Sequence, residues 1–306
     1  MEYLKVIFSY LVLVVLVLIS VAFVTLMEQK ILASSQIRVG PNYVGVWGLL
    51  QPFSDAVKLF MKEGLFLTKS NFLAYWVSPV ISLGLSLFLW SVFPFLEGGL
   101  SLNYGLLLFI CVSGLSVFPI LGSGWASNCK YSMLGGLRSV AQMVSYEISL
   151  AMIILSLVWM SGGFNLSNVL FGQSVLWNFF LFFPLSLIWF ASSLAETNRS
   201  PYDFSEGESE LVSGFNTEYS AGGFVLIFMS EYANILFMGL LFTVFFLGSW
   251  VSWFIIFKMM FIVYIFVWVR ATMPRYRYDK LMYLAWKGFL PMSLMLFVFY
   301  LGVLIL

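Results

Sequence analysis

The sequence predicts an all-α polytopic membrane protein, and three observations lead there. Sixty-one per cent of the 306 residues are apolar and nine per cent charged, with a mean hydropathy of +0.98. Uncharged runs of 22, 32 and 48 residues occupy 6–27, 98–129 and 148–195. The bases cluster between such runs rather than within them. A soluble domain of this balance would precipitate, whereas each helix that crosses a bilayer needs about 20 apolar residues. We expect one membrane domain over 1–306, with about eight transmembrane helices and no tail, linker or low-complexity tract. The first apolar segment is too long, and lacks the small-residue cleavage site, for a removable signal.

The first span is 6–27, framed by Lys5 and Glu28 and long enough for a helix of about 30 Å. A surface helix near 52–63 follows. Asp55, Lys58 and Lys62 fall on one face of it, Phe53, Val57, Phe60 and Met61 on the other, and Pro52 suits the first turn. Such a segment lies flat at a membrane interface, as an ordinary anchor or as something more. Span two is 70–96. Span three lies within 98–129, with Gly122 and Gly124 expected to end it. The run 148–195 is too long for one helix and breaks at Gly162-Gly163, giving span four near 138–160 and span five near 174–194. A long acidic loop near 195–218 comes next, then spans six to eight near 222–247, 252–269 and 283–306. With eight spans, 13 of the 15 bases fall in or beside the loops after spans one, three, five and seven. The positive-inside rule puts those loops on the cytoplasmic or matrix side and both termini on the other.

Absences exclude several chemistries. No histidine occurs, which removes His-ligated haem, His-based metal sites and Ser-His catalysis. Two cysteines, Cys111 and Cys129, cannot hold an iron–sulfur cluster by themselves. No glycine-rich phosphate loop is present. Any electron carriers belong to other subunits.

Acids stand where apolar residues are expected. Glu147 and Glu231 lie several residues inside spans four and six, and Glu196 closes span five. An ionised carboxylate in hydrocarbon costs about 2.5 kcal/mol or more, so each faces a polar cavity, meets a base or carries a proton. The plain alternative is a hydrogen bond that glues helices together. The 24 residues 193–216 carry five acids, Glu196, Asp203, Glu206, Glu208 and Glu210, against the single base Arg199. A solvated acidic loop explains the charges, but not the Tyr202, Phe204, Leu211, Val212 and Phe215 interleaved with them.

The blocks QIRVGPNYVGVWGLLQPFSDAVKLFMKE, GLRSVAQMVSYEISLAMIILS, AETNRSPYDFSEGESELVSGFNTEYSAGGF and RYRYDKLMYLAWK resemble the chain 1 family of proton-pumping NADH-ubiquinone oxidoreductases, respiratory complex I. The resemblance covers nearly the whole chain. The short termini, the wealth of Phe and Met and the missing histidine look like an invertebrate mitochondrial version. It implies a subunit of the membrane arm in the mitochondrial inner membrane, beside the iron–sulfur-bearing peripheral arm, among other complex I subunits and lipids and without nucleic acid. It implies ubiquinone as substrate, FMN and iron–sulfur clusters on partner subunits, and no redox centre here. Carried over by motif, the quinone passage would use Glu28, Arg38, Asp55, Lys58, Glu63, Phe224 and Arg275. The coupling path would use Asp203, Glu206, Glu208 and Glu210 with Glu196, Glu147 and Glu231. Two positions depart from the family pattern: Gln29 and Val39 stand where bases are usual. The membrane subunit of an energy-converting hydrogenase, which works without quinone, is the alternative, and an ion-coupled secondary transporter fits less well. Companions found on purification separate the three.

Overall fold

The computed structural model describes residues 2–65, 68–95, 99, 102–173, 176–205, 207, 212–248 and 252–305. Among these every regular element is helical: α1 (Glu2–Ser35), α2 (Gln51–Phe60), α3 (Phe72–Leu89), α4 (Gly105–Ala126), α5 (Lys130–Ser161), α6 (Leu166–Phe171), α7 (Asn178–Leu181), α8 (Phe183–Glu196), α9 (Ala221–Phe242), α10 (Ser252–Thr272), α11 (Tyr278–Tyr283) and α12 (Leu290–Ile305). A π-helical turn, Leu284–Phe289, joins α11 to α12 as one apolar rod. In lipid a backbone must satisfy its own polar groups, which is why a chain this apolar is helical. Serine hydroxyls follow the same rule, and those of Ser20, Ser82, Ser113 and Ser123 each donate to the carbonyl three residues back.

Seven helices among the described residues are long and apolar enough to cross a membrane. The predicted fifth span is a shorter, broken passage made of α7 and the 14-residue α8. It still runs from one end of the bundle to the other. At its start Asn178 donates to the Phe245 carbonyl beyond the end of α9. At its finish the loop 197–220 meets the other loops: Tyr276 N–H donates to Pro201 O, and Leu65 N–H to Ser220 Oγ. At that same end Asn71 N–H donates to Ala126 O.

Two sequence expectations change. Gly122 and Gly124 do not end span three, since α4 runs on to Ala126. Their smallness serves packing instead: a Cβ on Gly124 would lie 2.9 Å from the Ser132 carbonyl of α5. The break at Gly162 holds, with a left-handed cap (φ 70°), but α5 begins at Lys130 rather than near 138.

Helices α5 and α9 are the axes of the bundle. The first packs against α4, α8 and α12, the second against α1, α3 and α10. Tyr146, Trp189, Phe237 and Phe245 are fully enclosed in the core around them. Outward, Phe8, Leu11, Phe118, Phe257 and Met295 are exposed, a belt suited to lipid or to neighbouring apolar helices. The apolar face of α2 is likewise bare at Phe53, Val57 and Phe60.

Candidate functional site

Prolines inside α3 and α4, Pro79 and Pro119, and the end of α8 leave room for a polar cavity in the middle of the bundle. Its volume is about 550 Å³, counting the space that opens outward. Ser78 and Ser82 of α3, Ser116 and Ser123 of α4, Glu196 with Thr197 and Asn198, and Ser230, Glu231 and Asn234 of α9 line it. A second cavity of about 310 Å³ shares Ser116, Glu196, Thr197 and Asn234 and reaches Ser113. The Ser113 hydroxyl is 3.4 Å from Glu147 Oε1, and Glu147 and Glu196 lie within electrostatic reach of one another. Glu196 Oε2, Asn198 Oδ1 and Asn234 Oδ1 are buried without a hydrogen-bond partner. Buried polar atoms that face a polar cavity take water as partner.

The flank toward α1 and α10 is wired differently. Arg199 pairs with Glu231 at 3.6 Å and lies over the Tyr232 ring, 4.4 Å from its centroid. The Tyr232 hydroxyl donates to Glu28 Oε2 at 2.5 Å, and Arg270 is ion-paired with Glu28 Oε1. Neighbours in sequence, Glu231 and Tyr232 thus face the cavity on one side and Glu28 on the other. The base expected beside Glu28 is supplied from the end of α10, while Gln29 is exposed and Lys30 donates to the Trp47 carbonyl.

The described part of the loop is not a solvated acidic strand. Asp203 is 8 % exposed and Tyr202, Phe204 and Ser205 are buried. Gln142 of α5 donates to the carbonyls of Ala195 and Tyr202. Asp203 pairs with Arg275 at 2.8 Å, and the Phe204 ring meets that of Tyr278 edge-on. Burial, and next the neighbouring Tyr276, push the Tyr202 hydroxyl above the ordinary phenol range, so it stays protonated. Glu206, Glu208, Glu210 and Leu211 lie outside the described residues.

Of the residues named from sequence, Glu196 and Glu231 share one cavity, Glu147 adjoins the second, and Asp203 joins Arg275. Glu28 is buried apart from them, connected through Tyr232 and Arg199. Arg38, Lys58 and Glu63 are exposed, Asp55 accepts from Gln51, and Phe224 packs on Phe228. Sequence reasoning missed Arg270, Tyr232 and Asn234. An arginine closing an apolar span was the available signal for the first. Nothing in spacing tells that it meets an acid 242 residues away.

The model of the family described as NADH dehydrogenase matches residues 8–301. A protein named NADH-ubiquinone oxidoreductase chain 1 from Aedes aegypti is 55% identical over 304 residues, 99% of this chain and 97% of its own. Those of the same name from Anopheles gambiae and Locusta migratoria are 56% and 54% identical, over 95% and 96% of this chain and 93% and 94% of theirs. With the match running through α1, both cavities, the loop and α12, this chain belongs to the NADH dehydrogenase family.

Proposed function

We propose that the chain is a core membrane subunit of a mitochondrial, proton-pumping NADH-ubiquinone oxidoreductase, and that it couples ubiquinone reduction to proton movement. The observation that supports this best is the polar run from Arg270 and Glu28 through Tyr232, Arg199 and Glu231 into the cavity, then by Glu196 to Ser113 and Glu147. Helix glue alone does not require two adjoining cavities with unpartnered carboxyl and amide oxygens. Ubiquinone has an apolar tail and a polar head, so its passage needs a greasy mouth and polar groups deeper in. In this reading α2 offers the mouth, with Phe224, Asp55, Lys58 and Glu63 beside it, and Glu28, Arg38 and Arg275 serve further in. The loop carrying Asp203, Glu206, Glu208 and Glu210 passes the redox event on to Glu196, Glu231 and Glu147. FMN, the iron–sulfur clusters and the remaining subunits of both arms complete the enzyme. The loops after α1, α4, α8 and α10 face the matrix in this proposal, and both termini the intermembrane space.

The test is Glu196→Gln or Glu147→Gln in the assembled complex. Glutamine keeps size and hydrogen bonding but fixes the charge at zero. Quinone-linked turnover and pumping should fall together while NADH oxidation by a water-soluble acceptor continues. Normal assembly with unchanged rate of quinone-linked turnover and unchanged proton yield would leave these acids with a structural role only.

A further inference from the structure

Pro79, inside α3, has no N–H to give the carbonyl of Tyr75 four residues back. In apolar surroundings that carbonyl needs another donor. It comes from the far end of the acidic loop: the Tyr219 hydroxyl donates to Tyr75 O at 3.2 Å. With its one proton used there, Tyr219 accepts from the Ser78 hydroxyl, 3.0 Å away. In return the Tyr75 hydroxyl donates to the carbonyl of Glu218 at 2.8 Å, and the two rings stack at 4.4 Å with 5° between their planes. Tyr219 is 6 % exposed. Burial pushes its hydroxyl up to about 12, although the Ser78 contact pulls the other way, so it remains a donor at physiological pH.

The place of this clasp gives it a consequence. Ser78 and Pro79 are wall residues of the polar cavity that holds Glu196 and Glu231. On the other side of the same wall, a separate cavity of about 310 Å³ is bounded by Tyr75, Pro79, Tyr219 and Ser220 and reaches Gly64 and Leu65 at the loop end of the bundle. Tyr219 also belongs to a small apolar cluster with Tyr75, Phe215 and Ile227, distinct from the main core. Residues 214–216 are held on α5, where the Ser132 hydroxyl reaches Phe215 O and a Cβ on Gly135 would lie 2.8 Å from Phe215 N, so a shift of the loop's end falls on 217–220.

We propose that Tyr219 is a positioning residue for coupling, a latch that keeps the Ser78–Pro79 wall closed while the acidic loop is seated and frees it when the loop moves. Unlatched, the Tyr75 carbonyl and the Ser78 hydroxyl turn to water, and the polar cavity joins the outer one. That opens an entrance for protons from the loop end of the bundle. The proposal rests on the coupling role assigned above to Glu196 and Glu231.

Tyr219→Phe keeps the ring and the stacking and removes the hydroxyl. In the assembled complex, reconstituted in liposomes, amide exchange over 217–220 should rise roughly fivefold, the shift that one net hydrogen bond gives an opening equilibrium. Proton yield per quinone reduced should fall, while NADH oxidation by a water-soluble acceptor stays as it was. Pro79→Ala gives the Tyr75 carbonyl a helical donor again. The double variant Tyr219→Phe with Pro79→Ala should therefore recover thermal stability but not proton yield. Recovery of both would make Tyr219 a structural residue and overturn the proposal. If Tyr219→Phe leaves the yield intact while Glu196→Gln stops quinone-linked turnover and pumping, the latch is refuted and the coupling reading stands. If neither variant changes quinone-linked turnover or pumping, the coupling reading fails and the latch falls with it.

Discussion

The polar interior has two flanks that treat acids in opposite ways. Toward α1 and α10, Glu28 is held by Arg270 and Tyr232, and Glu231 is paired with Arg199. Toward α4 and α5, Glu196 and Glu147 face serines, a threonine and asparagines, and among the described residues no ion pair joins either of them to a base. Burying a carboxylate beside a guanidinium fixes its charge, because protonation would strand the base. A carboxyl among hydroxyls and water can gain or lose a proton without breaking an ion pair. One flank is therefore suited to holding geometry and sensing charge, the other to carrying protons.

Removing the base from the paired flank is the strongest way to break that distinction. Arg270→Ala strands Glu28, which is 6 % exposed. Breaking a buried pair costs about 3–5 kcal/mol, and the partial exposure of Arg270 brings this nearer the lower figure, about 3 kcal/mol. The expected outcome is loss of the assembled complex on native gels, with abundance restored by adding Glu28→Gln. Normal assembly of Arg270→Ala alone would show that the pair does not hold α1 to α10.

What the sequence displayed of this arrangement follows from what is local. Runs of apolar residues and the charges that interrupt them gave the membrane bundle, because span length is a property of contiguous chain. Glu147, Glu196 and Glu231 were conspicuous for the same reason, as charges in apolar surroundings. Which of them meets a base was not visible, because Glu28 and Arg270, or Asp203 and Arg275, come together only through packing of helices far apart in the chain. The glycines of α4 misled because a GSG stretch reads alike as a helix end and as a close-packing face. Only the approach of Ser132 distinguishes the two. The short fifth passage was legible as an apolar run, but its break at Phe182 (φ −111°, ψ 35°) is marked only by Pro184 in the first turn of α8, a signal the span count did not use.

The unpaired flank is sharpened by a substitution that should raise stability and lower function. Asn234 lines both cavities, and its Oδ1 is buried without a partner. Leucine has nearly the same shape and needs no ordered water, so Asn234→Leu should stabilise the complex by about 1 kcal/mol, the order of what holding one water costs. It also removes a polar stepping point between Glu231 and Glu196. Quinone-linked pumping should drop as the melting temperature rises. A rise in stability with unchanged pumping would mean that the proton route avoids Asn234.

The smallest expected effect probes Glu147 itself. Ser113 has one hydroxyl proton and two acceptors, the Ile110 carbonyl of its own helix at 2.9 Å and Glu147 Oε1 at 3.4 Å. The carbonyl keeps its helical partner when the hydroxyl is removed, so Ser113→Ala should change stability by less than about 0.5 kcal/mol. Glu147 loses the one side chain among the described residues that donates to it when it is ionised. At 3.4 Å that bond is long and is worth the low end of the usual range, about 0.5 kcal/mol, which corresponds to roughly a twofold fall in pumping rate. Assembly and melting temperature separate this from the paired flank, since Arg270→Ala acts on stability first and Ser113→Ala on rate alone. If Ser113→Ala instead costs as much stability as Arg270→Ala, the carboxyl of Glu147 is fixed in place like that of Glu28, and the two flanks do not differ in kind.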